Sequence, residues 1–523
     1  MASTPSTPIA EARPQPRLGP ARGFTGTATL LGVLGFVISF TGSWRPSFWG
    51  DEAASVMSAE RSLPSLFRML GNVDAVHGSY YLVLHYWVGI FGSSELSARL
   101  PSAIAIGVAT AGTFVLARSL FSSRLGIIAA LVFAVLPRVT YMGVEARSTA
   151  MAAAVTVWST ALLVHALRTR SPGVGIRWQP WAGYAVFVAG GIYLFLNFAL
   201  VLPAHALAVL LLSGTGESRR QALRSWGMST LAALAIAGPV LFWGFSQRDQ
   251  ISFLVRRPGP DLRSVAVVQW FGNVPFAILA WSLILLGVIA VLAAGRRPAR
   301  AGCAEFGVSS DIGGIRALAV ILAWLLVPTA ALVIGAELGA PMYAARYLSS
   351  CAPAAAIAIA IGISSLRVRW LQAATIVLAI ALAAPSYLGQ RGEYAKNRGS
   401  DWRQASEVVQ AGATPGDAVV FDEGVRPSRK PRLALRLYPV AFGGLQDVTL
   451  NRPFYSTDGL WDTTVPLASV ADELAGTNRV WLLQYVGTAG SVNGTNVAAL
   501  RQLGFTVVDS TTIRRTAVIE MTR

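Results

Sequence analysis

The 523-residue sequence is poor in charge, since only 13% of its residues are Asp, Glu, Lys or Arg. Soluble domains carry roughly 25% charged residues, so a chain of this length would have too little polar surface to face water. The hydrophobic fraction is 54% and the mean hydropathy is +0.53. The composition therefore excludes an ordinary soluble protein and predicts an integral membrane protein.

Cysteine and lysine are scarce as well. Cys303 and Cys351 are far apart in the sequence, which argues against a disulfide framework and a cysteine-based zinc site. Only two of the 43 basic residues are lysines, Lys396 and Lys430, and the net charge is +17. The arginines fall in short clusters between apolar runs, which is a topology signal in membrane proteins. A nucleic-acid binder needs a continuous basic surface, so no nucleic-acid role is predicted.

Apolar runs divide the first three quarters of the chain. A helix needs roughly 20 residues to cross a bilayer, and the sequence predicts about eleven spans. These are 24–42, 100–118, 124–142, 149–167, 181–196, 198–213, 226–244, 274–294, 315–336, 346–364 and 370–388. Residues 1–22 are typical of a disordered tail. Trp44, Arg45 and Pro46 follow the first run instead of a cleavage site, which favours a span over a signal peptide.

The arginine clusters predict the orientation. Residues 80–91 are apolar but too short to span, and as an interfacial amphipathic helix they leave every cluster on one side. The clusters are Arg118 with Arg124; Arg168, Arg170 and Arg177; Arg219, Arg220 and Arg224; Arg296, Arg297 and Arg300; Arg367 and Arg369. That side is the cytoplasm by the positive-inside rule. We therefore expect a multi-pass plasma-membrane protein with a cytoplasmic N-terminus, a long external loop at 43–99 and an external C-terminal region.

The region after residue 388 is polar and alternates short apolar runs with helical patterns. The runs that resemble buried strands are Ala418–Phe421, 480–483 and 505–508, and the helical patterns are 402–410 and 497–503. This alternation predicts an α/β domain with a largely parallel sheet. The expected domains are a tail at 1–22, a transmembrane domain at 23–388 and an extracytoplasmic α/β domain at 389–523.

The strongest chemical signal is the pair Asp51-Glu52, which follows Phe48, Trp49 and Gly50 just after the first span. Adjacent carboxylates at a membrane surface are costly to keep without a use. From the residues alone, two solvated acids in an interfacial aromatic belt are the alternative.

The pair resembles the Asp-Glu signature of the GT-C glycosyltransferases. More narrowly, it is similar to the branch with protein O-mannosyltransferases, aminoarabinose transferases and mycobacterial mannosyltransferases that use polyprenyl-phosphate mannose. Five further stretches agree in order and spacing, and the resemblance covers nearly the whole chain. They are His77-Gly78-Ser79-Tyr80-Tyr81, Arg99-Leu100-Pro101-Ser102, Glu145-Ala146-Arg147, Arg346-Tyr347-Leu348 and Asp401-Trp402-Arg403. The sequence departs from the family at Gly78 and Ser79, where prolines are usual, and lacks the tyrosine expected after Arg147.

The resemblance implies a polytopic helical GT-C fold and an enzyme that transfers a sugar, most simply mannose, from a polyprenyl-phosphate donor. The acceptor would be a hydroxyl of a lipoglycan, a glycolipid or a protein in the cell envelope. Family precedent makes Asp51 the general base, with Glu52 orienting the acceptor or Arg147. The same resemblance marks Glu145, Tyr80, Tyr81 and Tyr347 as substrate contacts.

A departing lipid phosphate needs positive charge, and guanidinium groups bind phosphate through two parallel hydrogen bonds. The candidates on the predicted outer side are Arg147, Arg256, Arg257 and Arg346, with His77 as a further phosphate contact. Structural alternatives are open for each residue. Arg147 could pair with Glu145, Arg256 and Arg257 could line a solvated loop, Arg346 could snorkel at a helix end, and His77 could be structural.

No cofactor is predicted. Asp51, Glu52 and His77 carry groups that bind divalent cations, but no motif spacing supports a metal site. Protein O-mannosyl, arabinosyl and aminoarabinosyl transfer are the alternatives within the class. A lipid transporter or flippase would show ionisable groups near the bilayer midplane, whereas these spans are nearly free of Asp, Glu and Lys. A structural or sensory protein would not need the acid pair.

Overall fold

The computed structural model describes residues 22–169, 178–250, 259–295, 313–339, 342–487, 490 and 492–523. Within these residues, the chain up to Gly389 is helical. Its α-helices are α1 (Arg22–Phe40), α2 (Gly50–Glu60), α3 (Leu63–Leu70), α4 (Gly78–Phe91), α5 (Glu95–Leu120), α6 (Ser123–Val135), α7 (Pro137–Gly143), α8 (Thr149–Arg168), α9 (Trp178–Leu194), α10 (Leu202–Leu212), α11 (Gly216–Ile236), α12 (Gly238–Ser246), α13 (Val274–Gly295), α14 (Gly314–Glu337), α15 (Ala352–Ser365) and α16 (Arg369–Gly389). Tighter or wider helical turns occupy Ala75–His77, Leu196–Val201, Ser264–Val268 and Ala345–Cys351.

Six helices in the described part of the chain are long and apolar enough to cross a membrane: α5, α8, α13, α14, α16 and the continuous helix Ala345–Ser365. Two more spans result if the bent pairs α6–α7 and α11–α12, which turn by 62° and 55°, each cross as a unit. The chain is thus a membrane protein, as its composition predicts. Each of the eleven predicted runs overlaps a helix, but the number eleven is not confirmed because several of these helices are short or bent.

Close approach of backbones holds the bundle together. α5 packs against α1, α6 and α8. A Cβ added at Gly35 of α1 would lie only 2.8 Å from Cβ of Thr110 in α5, and one at Gly107 would lie 2.7 Å from the carbonyl oxygen of Gly32. Helices in lipid associate through such small-residue contacts, since lipid supplies little hydrophobic driving force between them. The packed helices give a fixed frame for the loops at their ends.

The predicted external loop at 43–99 contains three helices. Leu63–Leu70 forms α3. The helix expected at 80–91 is present as α4, and it is not among the candidate spans. α2 packs on α4. Ala59 of α2 shares a buried apolar cluster with Tyr80 and Tyr81 of α4. The acid pair therefore lies at the start of a short helix that is held against the loop's own apolar core.

The C-terminal region contains a five-stranded sheet and several short helices. The helices are α17 (Trp402–Gly412), α18 (Leu433–Leu437) and α19 (Thr495–Gln502), and the strands are β1 (Ala418–Phe421), β2 (Gln446–Asp447), β3 (Leu450–Arg452), β4 (Thr463–Thr464), β5 (Arg479–Tyr485), β6 (Thr506–Thr512) and β7 (Thr516–Thr522). The strand order is β2-β1-β5-β7-β6. β1 is parallel to β2 and β5, whereas β7 is antiparallel to β5 and β6. The expected strands and helices are present, but the run at 505–508, expected as a buried strand, enters β6 with residues 506–508 exposed. The sheet is mixed rather than largely parallel, because the chain ends in a hairpin.

This region packs directly on α2. Ala53 and Met57 of α2 belong to the same buried cluster as Trp402 and Val409 of α17. The hydroxyl of Tyr438 donates to Glu95 at 2.6 Å and accepts from the backbone N–H of Phe48 at 3.0 Å. The segment that leads into α2 is therefore held in place by the C-terminal region of the chain.

Asp401-Trp402-Arg403 has a structural role in this contact. The carboxylate of Asp401 accepts from the backbone N–H groups of Arg514, Arg515 and Thr516 at the β6–β7 turn. The guanidinium of Arg403 donates to Glu95 and to the carbonyl oxygens in the loop after α1. The motif joins the terminal hairpin, the C-terminal region and the first loop.

Candidate active site

Asp51 lies in the first turn of α2, where the helix dipole favours a carboxylate. Its Oδ2 accepts a hydrogen bond from Nη1 of Arg346, which precedes α15. The two residues form an ion pair in which the side chain of Asp51 remains 24% exposed and that of Arg346 29% exposed. Asp51 is thus held in place while part of its carboxylate remains exposed. Arg346 makes a specific contact here and does not merely snorkel.

The charge of Asp51 is set by two arginines. Burial raises the pKa of this carboxyl. The positive charges of Arg147 and Arg346 together lower it by more than burial raises it, so the pKa lies below its usual range. Asp51 is therefore ionised at neutral pH. A carboxylate whose charge is stabilised in this way is a weak base.

Arg147 reaches the same helix from the turn before α8. Its Nη1 donates to the carbonyl oxygen of Asp51 at 3.2 Å, and its Nη2 lies 3.1 Å from Nε2 of His77. Arginine has no acceptor, so Nε2 of His77 is the acceptor and the ring is neutral. Burial and the charge of Arg147 lower the pKa of His77 to about 4. These contacts take the place of the side-chain ion pair with Glu145 that the sequence left open.

Glu52 faces the protein interior. Its two oxygens accept from Nε and Nη2 of Arg99, each at 2.7 Å, and Oε1 also accepts from the backbone N–H of Ala146 at 2.9 Å. Burial raises the pKa of Glu52, and the charge of Arg99 brings it below the usual range. Because the side chain has no exposed surface, Glu52 positions the Glu145-Ala146-Arg147 turn through its backbone.

Lys396 and Glu145 are buried residues close enough to Glu52 for their charges to interact with it. Lys396 is 1% exposed and its Nζ lies 4.2 Å from the centre of the Tyr141 ring. Within the described residues this Nζ has no hydrogen-bond partner. Burial lowers the pKa of Lys396 to about 8, against the opposing charges of Glu145 and Glu52. Burial likewise raises the pKa of Glu145, although Lys396 opposes that shift.

The three tyrosines expected to contact substrate have different surroundings. Tyr80 and Tyr81 are buried, and the hydroxyl of Tyr81 donates to Oδ2 of Asp74 at 2.8 Å. Tyr347 is half-buried and its ring lies under the guanidinium of Arg346, 5.7 Å away. Of the three, Tyr347 is the one placed beside the Asp51–Arg346 pair.

Two predicted site residues, Arg256 and Arg257, lie outside the described residues. Residues 1–21, which cover nearly all of the expected tail, do so as well. Within the part of the chain that the structure describes, no three His, Cys, Asp or Glu residues are grouped to hold a metal ion.

Comparison with known proteins agrees with this architecture. Residues 80–243 match the family model described as dolichyl-phosphate-mannose-protein mannosyltransferase, a segment that contains Glu145 and Arg147 but begins after Asp51. The chain is similar in structure to ArnT from Cupriavidus metallidurans bound to undecaprenyl phosphate, with a TM-score of 0.57 and 14% identity over 95% of this chain and 98% of that chain. The apo state of ArnT gives a TM-score of 0.56 at 13% identity, with the same coverage of both chains.

The fold is the GT-C fold. Arabinofuranosyltransferase AftD from Mycobacteria is also similar, with a TM-score of 0.52 and 16% identity over 96% of this chain and 40% of that chain. The chain therefore spans less than half the length of AftD. A comparison with curated protein sequences gives no match. Together these findings confirm the resemblance to the GT-C glycosyltransferases that the motifs indicated.

One residue close to the Asp51–Arg346 pair was not singled out from the sequence. Arg138, at the start of α7, lines a cavity of about 300 Å³ together with Arg346, Glu145 and Tyr141. It lies inside the predicted span 124–142, and an arginine within a span is a functional candidate by default. That signal was present in the sequence and points to this cavity.

Proposed function

We propose that the chain is a membrane glycosyltransferase that moves a sugar from a polyprenyl-phosphate donor to an acceptor hydroxyl on the extracytoplasmic side. The observation that carries this proposal is the Asp51–Arg346 pair. It places an accessible carboxylate and a guanidinium with remaining N–H donors side by side at the edge of a cavity.

In the proposed reaction the acceptor oxygen attacks the anomeric carbon of the donor sugar. Asp51 takes the proton of that hydroxyl, and the bond between the anomeric carbon and the phosphate oxygen breaks. The lipid phosphate leaves with the bonding electrons and is stabilised by Arg346. Since Arg346 also pairs with Asp51, donor binding would weaken that pair and raise the proton affinity of the base at the time it is needed.

The other site residues have supporting roles in this proposal. Arg147 holds the first turn of α2 through the carbonyl of Asp51, and neutral His77 holds Arg147. Glu52 positions the turn that contains Arg147 and makes no direct contact with the acceptor. Arg256 and Arg257 are further candidates for the phosphate.

Mannose is the proposed sugar, supported by the description of the family that matches residues 80–243. The proposed acceptors are lipoglycans or glycolipids of the cell envelope, with protein hydroxyls as the alternative. Arabinofuranosyl transfer is the second candidate, supported by the similarity in fold to AftD. The external position of the site and of residues 389–523 is supported by the arginine clusters on the opposite side of the predicted spans.

The test is turnover of labelled polyprenyl-phosphate mannose by the purified protein, with polyprenyl-phosphate arabinose as a parallel donor. Asp51→Asn keeps the shape of the side chain but cannot take the proton, so turnover should fall by at least about 10²-fold, while binding of polyprenyl phosphate persists. Asp509→Asn, at an exposed position on β6, is the matched control and should behave as wild type. Near-normal turnover by Asp51→Asn would remove the base assignment.

A further inference from the structure

The cavity beside the Asp51–Arg346 pair is lined by more than one basic side chain. Arg138 and Arg346 both face it, together with Glu145, Tyr141 and Gln390. Its volume of about 300 Å³ is at the lower end of the range for small-molecule sites. It can therefore hold a headgroup rather than a whole lipid.

Arg138 is held in place by backbone carbonyls. Its Nε donates to the carbonyl oxygen of Gln269 at 2.8 Å and its Nη2 to that of Val268 at 3.0 Å. Its own backbone N–H donates to the carbonyl oxygen of Trp270 at 3.1 Å. A guanidinium has five N–H donors, and these two bonds leave the others of Arg138, a lining residue of the cavity, for a ligand.

These carbonyls fix Arg138 but do not neutralise it. Among the described residues, no carboxylate lies within ion-pair distance of Arg138, and the acid that pairs with Arg346 is Asp51. Glu145 is the acid that lines the cavity, and it forms an ion pair with neither arginine within that part of the chain. Two guanidinium groups on one cavity repel each other, and an anion bound between them would relieve this.

The segment that supplies the carbonyls has an unusual backbone. Ser264–Val268 forms a π-helical turn. Such turns are rare in proteins, and those that occur are often found at functional sites. The turn ends at Val268, and the carbonyl oxygens of Val268 and Gln269 at this end accept from the guanidinium of Arg138 in α7. The local geometry thus serves to aim one positive group into the cavity.

We propose that Arg138 and Arg346 together bind the phosphate of a lipid phosphate in this cavity. The inference rests on the proposed function and adds to it a second phosphate-binding residue, the one that does not touch Asp51. Arg138 keeps hold of the phosphate while Arg346 is shared between the phosphate and the base. Phosphate fits because two guanidinium groups can bind its oxygens in parallel pairs.

The experiment measures binding of polyprenyl phosphate without a sugar to the full-length protein in nanodiscs. Arg138→Gln should weaken binding roughly tenfold or more, as expected for losing hydrogen bonds to a charged group, and Arg138→Lys should recover part of it because Lys keeps the charge but not the fork. Arg391→Gln is the matched control. Arg391 is buried and donates to the carbonyls of Ile38 and Thr41, but it lines no part of this cavity, so its loss should leave the affinity within about twofold.

A second arm identifies the source of the phosphate. Nanodiscs of phosphatidylcholine are compared with nanodiscs that contain phosphatidylglycerol as a competing phosphate lipid. If Arg138→Gln weakens the binding of polyprenyl phosphate in both kinds of nanodisc, the donor's phosphate occupies the subsite. If it removes only the competition by phosphatidylglycerol, the subsite binds the phosphate of a membrane phospholipid and not that of the donor.

The inference is overturned if Arg138→Gln and Arg138→Lys both fold and bind polyprenyl phosphate and phosphatidylglycerol as wild type does. It is also overturned if Arg391→Gln weakens binding as much as Arg138→Gln does. These results are separate from the test of the base. Asp51→Asn with full turnover would remove the proposed mechanism while leaving the phosphate subsite in place.

Discussion

The guanidinium of Arg99 and the carboxylate of Glu52 form a two-armed ion pair in which neither side chain has any exposed surface. Arg99 also donates to the carbonyl oxygens of Ser43 and Pro46 in the loop that precedes α2, and Glu52 accepts from the N–H of Ala146. One pair therefore joins the first loop, the start of α5 and the turn that contains Arg147.

Removing one member of this pair should be costly. Glu52→Gln leaves the buried charge of Arg99 without its partner, which costs about 3–5 kcal/mol in comparable cases. We expect the variant to melt earlier than wild type and to lose turnover because Arg147 is displaced. Thermal unfolding and turnover of purified protein measure both effects.

Glu407→Gln, at an exposed position of α17, is the control and should change neither quantity. A Glu52→Gln protein with wild-type stability and full turnover would contradict the positioning role. Wild-type stability with lost turnover would instead give Glu52 a direct part in the reaction.

The pKa of His77 predicts how stability depends on pH. Because the pKa is lowered to about 4 in the folded protein from 6.5, the folded state binds fewer protons than the unfolded state between these values. The contribution of His77 to stability is complete above about pH 6.5 and is lost as the pH falls toward 4. We expect the melting temperature to fall over this window.

His77→Gln should flatten that part of the profile, since the side-chain carbonyl of Gln can accept from Arg147 at any pH. His165→Gln is the control, because His165 is exposed at the end of α8, and it should keep the wild-type slope. Equal slopes in all three proteins would show that His77 does not titrate as its contact with Arg147 requires.

The orientation in the membrane is open to a labelling test. In a background with Cys303→Ser and Cys351→Ala, cysteines at Ser62 and Gly494 should react with impermeant reagents from outside, and one at Thr215 should not. All three positions are exposed, so the side of the membrane decides the reaction. Labelling of Thr215→Cys from outside, with Ser62→Cys protected, would reverse the orientation and move the site to the cytoplasm.

The helices were predictable because apolar runs of bilayer length leave few alternatives. The strands of the C-terminal sheet and their pairing were less predictable. β6 (Thr506–Thr512) was expected in part, from the apolar run at 505–508, although the structure leaves it mostly exposed. β7 (Thr516–Thr522) is buried along most of its length and was not expected. Its antiparallel pairing with β5 depends on where the chain returns, which no local pattern gives.

The site residues that lie in recognisable motifs were predictable from the sequence. The sequence indicated Asp51 and Arg346, which lie 295 residues apart and form an ion pair. The burial of Glu52 was not predictable, because its partner Arg99 faces it only after α5 packs beside the first loop. Lys396 had a faint signal as one of two lysines in the chain, but its place beside Tyr141 and Glu145 arises from tertiary contacts.

The final prediction concerns Gly50, the first residue of α2. A Cβ added there would lie 2.7 Å from Cβ of Ser428 and closer still to its carbonyl oxygen. Ser428 lies in the short turn Pro427–Arg429 of the C-terminal region, so the obstacle is backbone that cannot rotate away. Gly50→Ala must push apart α2 and that turn.

Asp51 is the next residue, so the displacement reaches the proposed base directly. A shift of about 1 Å at a reacting group can cost roughly 10²-fold in rate, and we expect Gly50→Ala to lose turnover on that scale while the helical bundle stays folded. Gly227→Ala is the matched control, since it lies within α11 and no atom comes within 4 Å of the added Cβ. Alanine is favoured over glycine inside a helix by roughly 0.5–1 kcal/mol, so that variant should keep full turnover and be at least as stable as wild type. Turnover of the labelled donor and the melting temperature are measured for both proteins. If Gly50→Ala turns over normally, the turn at Ser428 gives way easily and the C-terminal region does not fix the position of Asp51.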